Sequence, residues 1–264
     1  MAVVHRSDLP ELVVKPSTND DQESERERRK AYLTAACRVF ALEGFQIGVA
    51  GHITVRDPEH ADRFWVNPLN ISMRILKRRD LMCVDSNGTI IHGKHPISPS
   101  AIWIHAQLYR ARPDVNAIVH MHSLYGRAFS TLHVPLAPTS VEACVFYEDH
   151  ALYREFRGLA FSPEEGRDEG LEIAAALGNH HLLIECNHGL VTVGATAGAA
   201  IYRFLAADNA CHEQLLARAA GDVQTMAPAA ARQAHRQIGS EYACWLSFEP
   251  KYHEMLTLHP DILD

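Results

Sequence analysis

The sequence lacks several features that would assign it to a common class of protein. Its six cysteines include no Cys-x-x-Cys pair. Scattered thiols in a chain of this size are typical of a reducing compartment, so we expect a cytoplasmic protein. No apolar run approaches the roughly 18 residues of a membrane span. The first residues have no apolar core after a basic start, so we expect no signal peptide and no membrane partner.

Phosphate-binding and nucleophile motifs are also missing. The sequence contains neither GxxxxGK followed by Ser or Thr nor GxGxxG, the patterns that cradle nucleotide phosphates. It has no GxSxG turn of the kind found in serine hydrolases. Its net charge of −7 argues against a nucleic-acid partner, which requires concentrated positive charge. The basic run Lys77-Arg78-Arg79 is too short to change that conclusion, and we expect a small-molecule substrate.

What the sequence does contain is an ordinary globular composition. Apolar residues make up 47% and charged residues 22% of its 264 residues, which suffices for a sizeable core. Residues 1–20 show no periodicity and are predicted to form an N-terminal arm. Residues 21–264 are predicted to form a single domain with a C-terminal helical extension.

Hydrophobic periodicity and turn residues predict an irregular alternation of helices and strands. The predicted helices cover 21–43, 99–111, 123–131, 170–177, 197–219 and 229–245. The predicted strands cover 47–55, 64–66, 81–84, 89–92, 116–122, 182–186 and 190–193. This order predicts an α/β fold with a mixed sheet between helical layers.

The segment 117–123 carries the clearest chemical signal. Side chains alternate between the two faces of a strand, so His120 and His122 share one face, opposite Ala117, Val119 and Met121. Two imidazoles spaced in this way can chelate a single metal ion. Two ordinary polar histidines at the end of a strand would give the same pattern, so the pair alone leaves both interpretations open.

A third histidine, His188, lies in a predicted tight turn before a glycine. Glycine permits a turn that brings the imidazole into a cleft, although Asn-His-Gly is also a common surface turn. Three neutral imidazoles would leave coordination positions open for water or substrate, as in catalytic metal sites. Glu148 and His150 are further candidates for substrate contact, and a solvated loop is the alternative.

Taken in order, several short segments resemble the class II aldolase/adducin family. They are 49–56 (VAGHITVR), 65–68 (WVNP), 80–85 (DLMCVD), His105 with 109–115 (YRARPDV), 120–123 (HMHS), 187–189 (NHG) and 193–194 (VG). The likeness covers roughly residues 30–220 and is specific as a set. The resemblance implies a three-layer α/β/α domain with a mostly antiparallel central sheet and a homotetramer with active sites between subunits. It also implies a divalent metal ion held by His120, His122 and His188.

The chain departs from the sugar-phosphate aldolases of that family. Those enzymes place a catalytic glutamate four residues before the histidine that matches His105, and this chain has Ala101 there, which cannot transfer a proton. The changed phosphate-pocket positions are Leu69, Asn70, Pro99, Ser100 and His52. Because a phosphate dianion needs several donors, we expect an unphosphorylated substrate. We assign His52, Asn67 and Ser100 to substrate binding.

Other segments narrow the resemblance to one branch of the family. The segments 51–59 (GHITVRDPE), 63–68 (RFWVNP) and 146–151 (FYEDHA), with the C-terminal residues from 245 onward, are typical of a bacterial branch. That branch is similar to non-haem iron oxygenases that act on prenylated hydroxyphenylpyruvate, and the family also contains decarboxylases.

Three hypotheses about function remain. The first is a metal-dependent carbon–carbon lyase or decarboxylase acting on an unphosphorylated 2-oxo or 2-hydroxy acid. Zn²⁺ or Mn²⁺ would stabilise an enolate, and Glu148, Tyr147 or His150 would donate a proton. The second is an Fe²⁺-dependent oxygenase that cleaves a 2-oxo acid or a hydroxymandelate-type aromatic substrate. The third is a non-catalytic, adducin-like assembly protein, which the three histidines argue against.

Overall fold

Helix α1, Gln22–Leu42, begins where the sequence provides a capping side chain. In the computed structural model, which describes residues 21–156, 158 and 162–264, the Asp21 carboxylate accepts a hydrogen bond from the Ser24 backbone N–H at 2.8 Å. This bond satisfies one of the free donors of the first turn. The second half of α1 is buried, and the predicted helix is confirmed. The predicted arm at residues 1–20 lies outside the described residues.

Among the described residues, eight strands form one sheet. They are β1 His52–Arg56, β2 Arg63–Val66, β3 Met82–Asp85, β4 Ile90–His92, β5 Ala117–Met121, β6 His150–Tyr153, β7 Leu182–Glu185 and β8 Gly189–Gly194. Their order across the sheet is β4-β3-β2-β1-β5-β8-β7-β6. Neighbouring strands are antiparallel, except that β6 and β7 are parallel. The predicted mixed, mostly antiparallel sheet is confirmed.

Helices cover both faces of this sheet. After α1 they are α2 Pro99–Ala111, α3 Leu124–Ser130, α4 Pro163–Leu177, α5 Ala197–Ala220, α6 Pro228–Ile238 and α7 Glu241–Leu258, with short 3-10 helices at Arg78–Asp80, Glu142–Phe146 and Pro260–Leu263. One core packs α1, α5 and α7 against one face through residues such as Phe40 and Phe204. A second core packs α2 and α4 against the other face through residues such as Ile104 and Ile173. The arrangement is the predicted three-layer α/β/α fold.

Two helical boundaries and two strands differ from the sequence predictions. The strand predicted over 47–55 is shorter than expected, because residues 48 and 49 form a turn and β1 begins at His52. The single helix predicted over 229–245 is wrong, because the chain breaks at Gly239 and Ser240 caps a new helix, α7. Helix α4 starts earlier than predicted, because Ser162 and Glu165 form a capping box at its first turn. Strand β6 was not predicted. No helix within the described part of the chain has both the length and the apolar character needed to cross a bilayer.

The register of β5 places the histidine face of that strand toward α2 and α4. Val119 and Met121 belong to the core beneath α1 and α5, whereas Ile118 belongs to the core beneath α2 and α4. His120 lies on the same side as Ile118, so the predicted alternation is confirmed. Strand β1 pairs with β5 so that His52 is directly opposite His120.

Helices α2 and α4 pack closely because α4 has a glycine at their contact. A Cβ atom on Gly170 would lie 2.9 Å from Gln107 Cγ and 3.0 Å from both Ile104 Cα and Trp103 O. Two of these three atoms belong to the backbone, which cannot move aside independently. The close approach also brings the preceding residue, Glu169, to the same cavity as the histidine face.

We expect Gly170→Ala to lower the free energy of unfolding by roughly 1–3 kcal/mol, because the added methyl group overpacks this contact. Urea unfolding followed by circular dichroism measures the change. Asp168→Ala, at an exposed position of the same helix, is the control and should change the value by less than about 0.5 kcal/mol. Equal stability of the Gly170→Ala variant and the unchanged protein would contradict the close packing of α2 on α4.

Candidate metal centre

The turn between β7 and β8 carries the third predicted metal ligand, His188. Asn187 has a φ of 62°, a left-handed conformation that asparagine tolerates better than most residues. Gly189 follows and begins β8. Because Met121 pairs with Leu190 across β5 and β8, the turn lies beside the end of β5. The fold therefore brings His188 next to the two histidines of β5.

The three predicted metal ligands lie together. The ring centres of His120, His122 and His188 are 4.9, 5.0 and 5.1 Å apart. One potential ligand atom from each residue lies within 4.8 Å of the others. Within the described ranges, this is the one group of three or more His, Cys, Asp or Glu side chains that satisfies this spacing.

The hydrogen bonds of His120 favour a metal ion at the centre of this group. Its Nδ1 donates to the Leu190 carbonyl at 3.1 Å, so the lone pair of the neutral ring is on Nε2. This Nε2 lies 3.1 Å from His122 Nε2. Two nitrogens bound to one tetrahedral zinc ion at 2.0–2.1 Å are roughly 3.3 Å apart. Either a hydrogen on His122 Nε2 or a cation must therefore lie between these two nitrogens, and the donor set fits a divalent ion.

The buried carboxyl group of Glu185 lies next to two of the candidate ligands. Glu185 Oε2 lies 3.3 Å from His120 Nδ1 and 3.4 Å from His188 Nδ1. This oxygen has no well-aligned hydrogen bond, and burial raises the pKa of Glu185 to about 8. A cation on the far side of the rings would strengthen both N–H donors and favour the ionised carboxylate. Glu185 thus fits the role of a residue that orients metal-bound imidazoles.

Burial also keeps the ligands neutral. It is the largest cause of a pKa of His120 well below the ordinary value, and the imidazoles of His188, His52 and His122 add to the effect. The pKa of His122 falls to about 4, through burial first and then through the nearby charges of His188 and Arg127. Burial lowers the pKa of His188 as well. All three rings are therefore neutral at pH 7, with one nitrogen of each ring free to bind a metal ion.

The histidine group opens into a cavity of about 230 Å³. Apolar lining comes from residues that include Val49, Leu69, Ile104 and Val191. The polar lining residues besides the three ligands are His52, Ser98, Ser100, His105, Glu169 and Glu185. A cavity with apolar walls and a few converging polar groups is typical of a small-molecule site.

Two of the three predicted substrate-binding residues line this cavity. They are His52 and Ser100. Asn67 is buried outside it, and its side-chain oxygen accepts a hydrogen bond from the Ile53 backbone N–H at 2.9 Å. This bond fixes the segment after β2 against β1, so Asn67 supports the strand that carries His52. The assignment of Asn67 to substrate binding stays a prediction.

The three predicted proton donors do not line the cavity within a single chain. Glu148 is exposed and pairs with Arg232 at 2.6 Å. The guanidinium of Arg232 also lies 5.9 Å from the centre of the Tyr147 ring. His150 donates through Nδ1 to the Phe146 carbonyl at 2.7 Å and accepts through Nε2 from a backbone N–H. Their catalytic assignment stays a prediction.

Sequence reasoning missed two acidic residues of the cavity. Glu185 ends an apolar strand three residues before His188, and that position was a signal for a residue near the metal. Glu169 carried no such signal, because its position depends on the packing of α4 on α2. Burial, with the nearby charges of Glu185 and Glu172, raises the pKa of Glu169 to about 7. Ala101 is fully buried in the core beneath α2, so that position offers no acid or base.

Comparisons with known proteins agree with this fold. Residues 31–215 match the family model of the Class II Aldolase and Adducin N-terminal domain. The chain is 42% identical to 4-hydroxy-3-prenylphenylpyruvate oxygenase/4-hydroxy-3-prenylbenzoate synthase of Streptomyces roseochromogenus subsp. oscitans, over 88% of this chain and 85% of that protein. It is also 42% identical to Decarboxylase NovR of Streptomyces niveus, over 88% of this chain and 87% of that protein. Among solved structures, L-fuculose 1-phosphate aldolase from Glaciozyma antarctica PI12 has a TM-score of 0.85 and 38% identity, covering 94% of this chain and 96% of that one.

We expect Glu185→Gln to weaken the affinity for zinc roughly 10- to 100-fold, because the amide no longer balances the charge of the bound ion or orients the rings. Competition with a chelator of known affinity measures the change. Glu164→Gln, at an exposed position of α4, should leave the affinity unchanged. Equal zinc affinity in the Glu185→Gln variant and the unchanged protein would show that the carboxylate does not act on the ligands.

Proposed function

Because this chain belongs to the class II aldolase and adducin family, we propose that it is a metal-dependent carbon–carbon lyase or decarboxylase acting on an unphosphorylated 2-oxo or 2-hydroxy acid. The observation that carries the proposal is the convergence of His120, His122 and His188 on the open cavity. Three ligands leave coordination positions for the oxygens of an acid. A divalent ion held there, Zn²⁺ or Mn²⁺, would supply stabilisation of the negative charge that carbon–carbon cleavage leaves on the acid.

The charge of the cavity supports an unphosphorylated substrate. None of its described lining residues is a lysine or an arginine, and a phosphate dianion depends on several charge-assisted donors. The Glaciozyma protein is named as a sugar-phosphate aldolase. This chain has a buried alanine, Ala101, where such aldolases of the family have a catalytic glutamate, so we do not extend that activity to it.

The apolar part of the lining supports an aromatic acid. Val49, Leu69, Ile104 and Val191 offer a surface on which an aromatic ring can be buried. The Streptomyces roseochromogenus relative is named for a prenylated phenylpyruvate and a prenylated benzoate. We therefore propose an aryl 2-oxo acid with a hydroxyl group on C4 as the substrate, because cleavage between C3 and C4 leaves an enolate on the 2-oxo acid and releases the aryl part as an aldehyde. His52 and Ser100 would be hydrogen-bonding partners for its oxygens.

Glu169 is the proton donor that the cavity itself offers. It is half-buried and lines the cavity, unlike Glu148, Tyr147 and His150. Its pKa of about 7 keeps part of the carboxyl population protonated at neutral pH, as a general acid requires. We propose that Glu169 protonates the carbon left by cleavage, in place of the glutamate that the family has at the position of Ala101.

A second candidate function is an Fe²⁺-dependent oxygenase that cleaves a 2-oxo acid or a hydroxymandelate-type aromatic substrate oxidatively. The specific observation that favours it is the 42% identity to a relative named as an oxygenase. Three imidazoles with open positions also suit Fe²⁺. The third hypothesis, an adducin-like assembly role, does not account for a group of three neutral histidines that opens into a cavity.

We further propose a cytoplasmic homotetramer, with the cavity of each chain completed at a subunit interface. Val49 and Leu124 support this proposal, because both are large apolar side chains that a single chain leaves mostly exposed. Val49 also lines the cavity, so a neighbouring chain that covers it would lie against the site.

The proposal is tested by product formation with and without oxygen. Protein purified anaerobically is loaded with Zn²⁺, Mn²⁺ or Fe²⁺ and incubated with 4-hydroxy-2-oxo-4-phenylbutanoate, 4-hydroxyphenylpyruvate or L-fuculose 1-phosphate. Mass spectrometry measures the products, and an electrode measures oxygen. We expect cleavage of an aromatic acid without oxygen consumption. Cleavage that requires both iron and oxygen would establish the second candidate instead, and cleavage of the sugar phosphate alone would refute both.

His122→Ala should lose most of the bound divalent metal and the cleavage activity together, because two imidazoles no longer hold the ion in a rigid site. Elemental analysis of the purified protein measures the metal content. His253→Ala, which removes an exposed histidine of α7, is the control and should retain the metal. Undiminished metal in the His122→Ala variant would discard the site.

Glu169→Gln should lower kcat roughly 10²- to 10⁴-fold and abolish the decline of activity above about pH 7. Activity declines as the pH rises because the Glu169 carboxyl, with its raised pKa, is protonated below about pH 7 and loses its proton above it. The folded protein should likewise lose stability as the pH rises from about 4.5 to about 7, and the glutamine variant should lose less, because only the contribution of Glu185 remains. Asp168→Asn is the matched control. A pH profile unchanged by Glu169→Gln would assign the proton transfer to another group.

A further inference from the structure

A chain of hydrogen bonds runs from the core beneath α2 to the cavity. Tyr109 OH lies 2.9 Å from Thr54 Oγ1, which lies 2.7 Å from His105 Nδ1. His105 Nε2 lies 2.9 Å from His52 Nδ1. All four side chains are buried, and the ring of His52 stands 5.0 Å from the ring of His120. The last member of the chain therefore lines the cavity beside the metal ligands.

The direction of these bonds follows from a count of protons. Both rings are buried, and among the described residues neither forms an ion pair with a carboxylate, so each ring is neutral and carries one proton. The two hydroxyl groups carry one proton each. Four hydrogens are available for three hydrogen bonds, so one hydrogen takes no part in these bonds. This proton is the phenol hydrogen of Tyr109, the hydroxyl hydrogen of Thr54, or the Nε2 hydrogen of His52 at the cavity.

Burial excludes the first two arrangements. Tyr109 is buried, and Thr54 is the hydrogen-bonding group that its hydroxyl contacts in the described part of the chain. If Thr54 donated to Tyr109, the phenol hydrogen would lack an acceptor. If both Tyr109 and His105 donated to Thr54, the hydroxyl hydrogen of Thr54 would lack an acceptor. Unpaired buried donors are rare because burial removes their hydrogen bonds to water and no protein acceptor replaces them.

We propose that this chain of hydrogen bonds fixes His52 as a donor whose Nε2–H faces the cavity, and that it selects a ligand with an unprotonated oxygen next to His120. Tyr109 donates to Thr54, Thr54 to His105, and His105 to His52. The carboxylate or keto oxygen of a 2-oxo acid accepts such a bond, whereas an ammonium group meets a second donor. An orientation fixed before binding needs no rearrangement when the ligand arrives.

Thr54, His105 and Tyr109 are positioning residues in this proposal. The ligand class rests on the proposed function, but the protonated nitrogen of His52 does not. The two parts therefore have separate experiments, and failure of the lyase assay leaves the first experiment unaffected.

The first experiment determines which nitrogen of His52 carries the proton. Isotope labelling of histidine ring nitrogens, with NMR of the full-length protein loaded with zinc, distinguishes protonated from unprotonated nitrogens, and His52→Gln assigns the signals. We expect hydrogen on Nε2 and none on Nδ1. Hydrogen on Nδ1, or on both nitrogens, would overturn the proposal.

The matched pair Thr54→Val and Thr54→Ser tests the positioning role. Thr54→Val removes the hydroxyl that donates to His105, so the nitrogen signals of His105 and His52 should move toward the average of two tautomers. Thr54→Ser keeps the hydroxyl and should keep the original signals. Identical spectra for both variants would show that Thr54 only fills space. If Thr54→Val does not fold, the spectrum of the unchanged protein still decides the direction.

The second experiment measures the affinity for phenylpyruvate by calorimetry. His52→Phe keeps a ring but removes the donor, and should weaken binding roughly tenfold. His52→Gln carries an amide N–H near the place of Nε2 and should restore most of the affinity. Equal affinity in His52→Phe and the unchanged protein would refute the donor role. Product formation is not needed for either result.

Discussion

The antiparallel register of β5 between β1 and β8 is the constraint on which the candidate metal centre depends. It sets His120 opposite His52 on one side and opposite Val191 on the other. A slip of one residue would turn His120 into the core beneath α1 and α5, and would expose Met121 to the cavity. Burial of Val119 and Met121 opposes that slip. Hydrophobic burial on one face of the strand thus positions the chemistry of the other.

The electrostatics of the cavity are consistent with one divalent cation. The three histidines are neutral, and Glu185 lies behind two of them as a buried acid. A buried carboxylate is costly unless a positive charge lies close to it. A cation at the histidine group would lie on the opposite side of the same rings, so each imidazole would connect a positive and a negative charge. Such a pairing would explain why a glutamate is tolerated at the end of an apolar strand.

Local pattern and resemblance predicted most of the fold and the three histidines, for identifiable reasons. The alternation of β5 is a property of the strand itself, and the order of the short motifs implied the mixed sheet. His188 needed the resemblance, because only the tertiary pairing of β5 with β8 brings it to the other two. Glu169 lay beyond sequence reasoning, because its place depends on how closely two helices pack. The division of the C-terminal helix at Gly239 and the early start of α4 depended on capping residues that a search for periodicity overlooks.

The parallel pairing of β6 with β7 has one more consequence. Parallel neighbours need a crossover connection, and here α4 is that connection. A hydrogen bond of 2.7 Å from Tyr153 of β6 to Glu172 ties the helix to the outermost strand. One wall of the cavity is therefore anchored at the rim of the sheet, whereas His120 and His122 are anchored at its centre by β5. Changes at that rim would reach the wall directly through α4, but β7 and β8 separate them from these two histidines, so the wall can diversify while the two histidines keep their place.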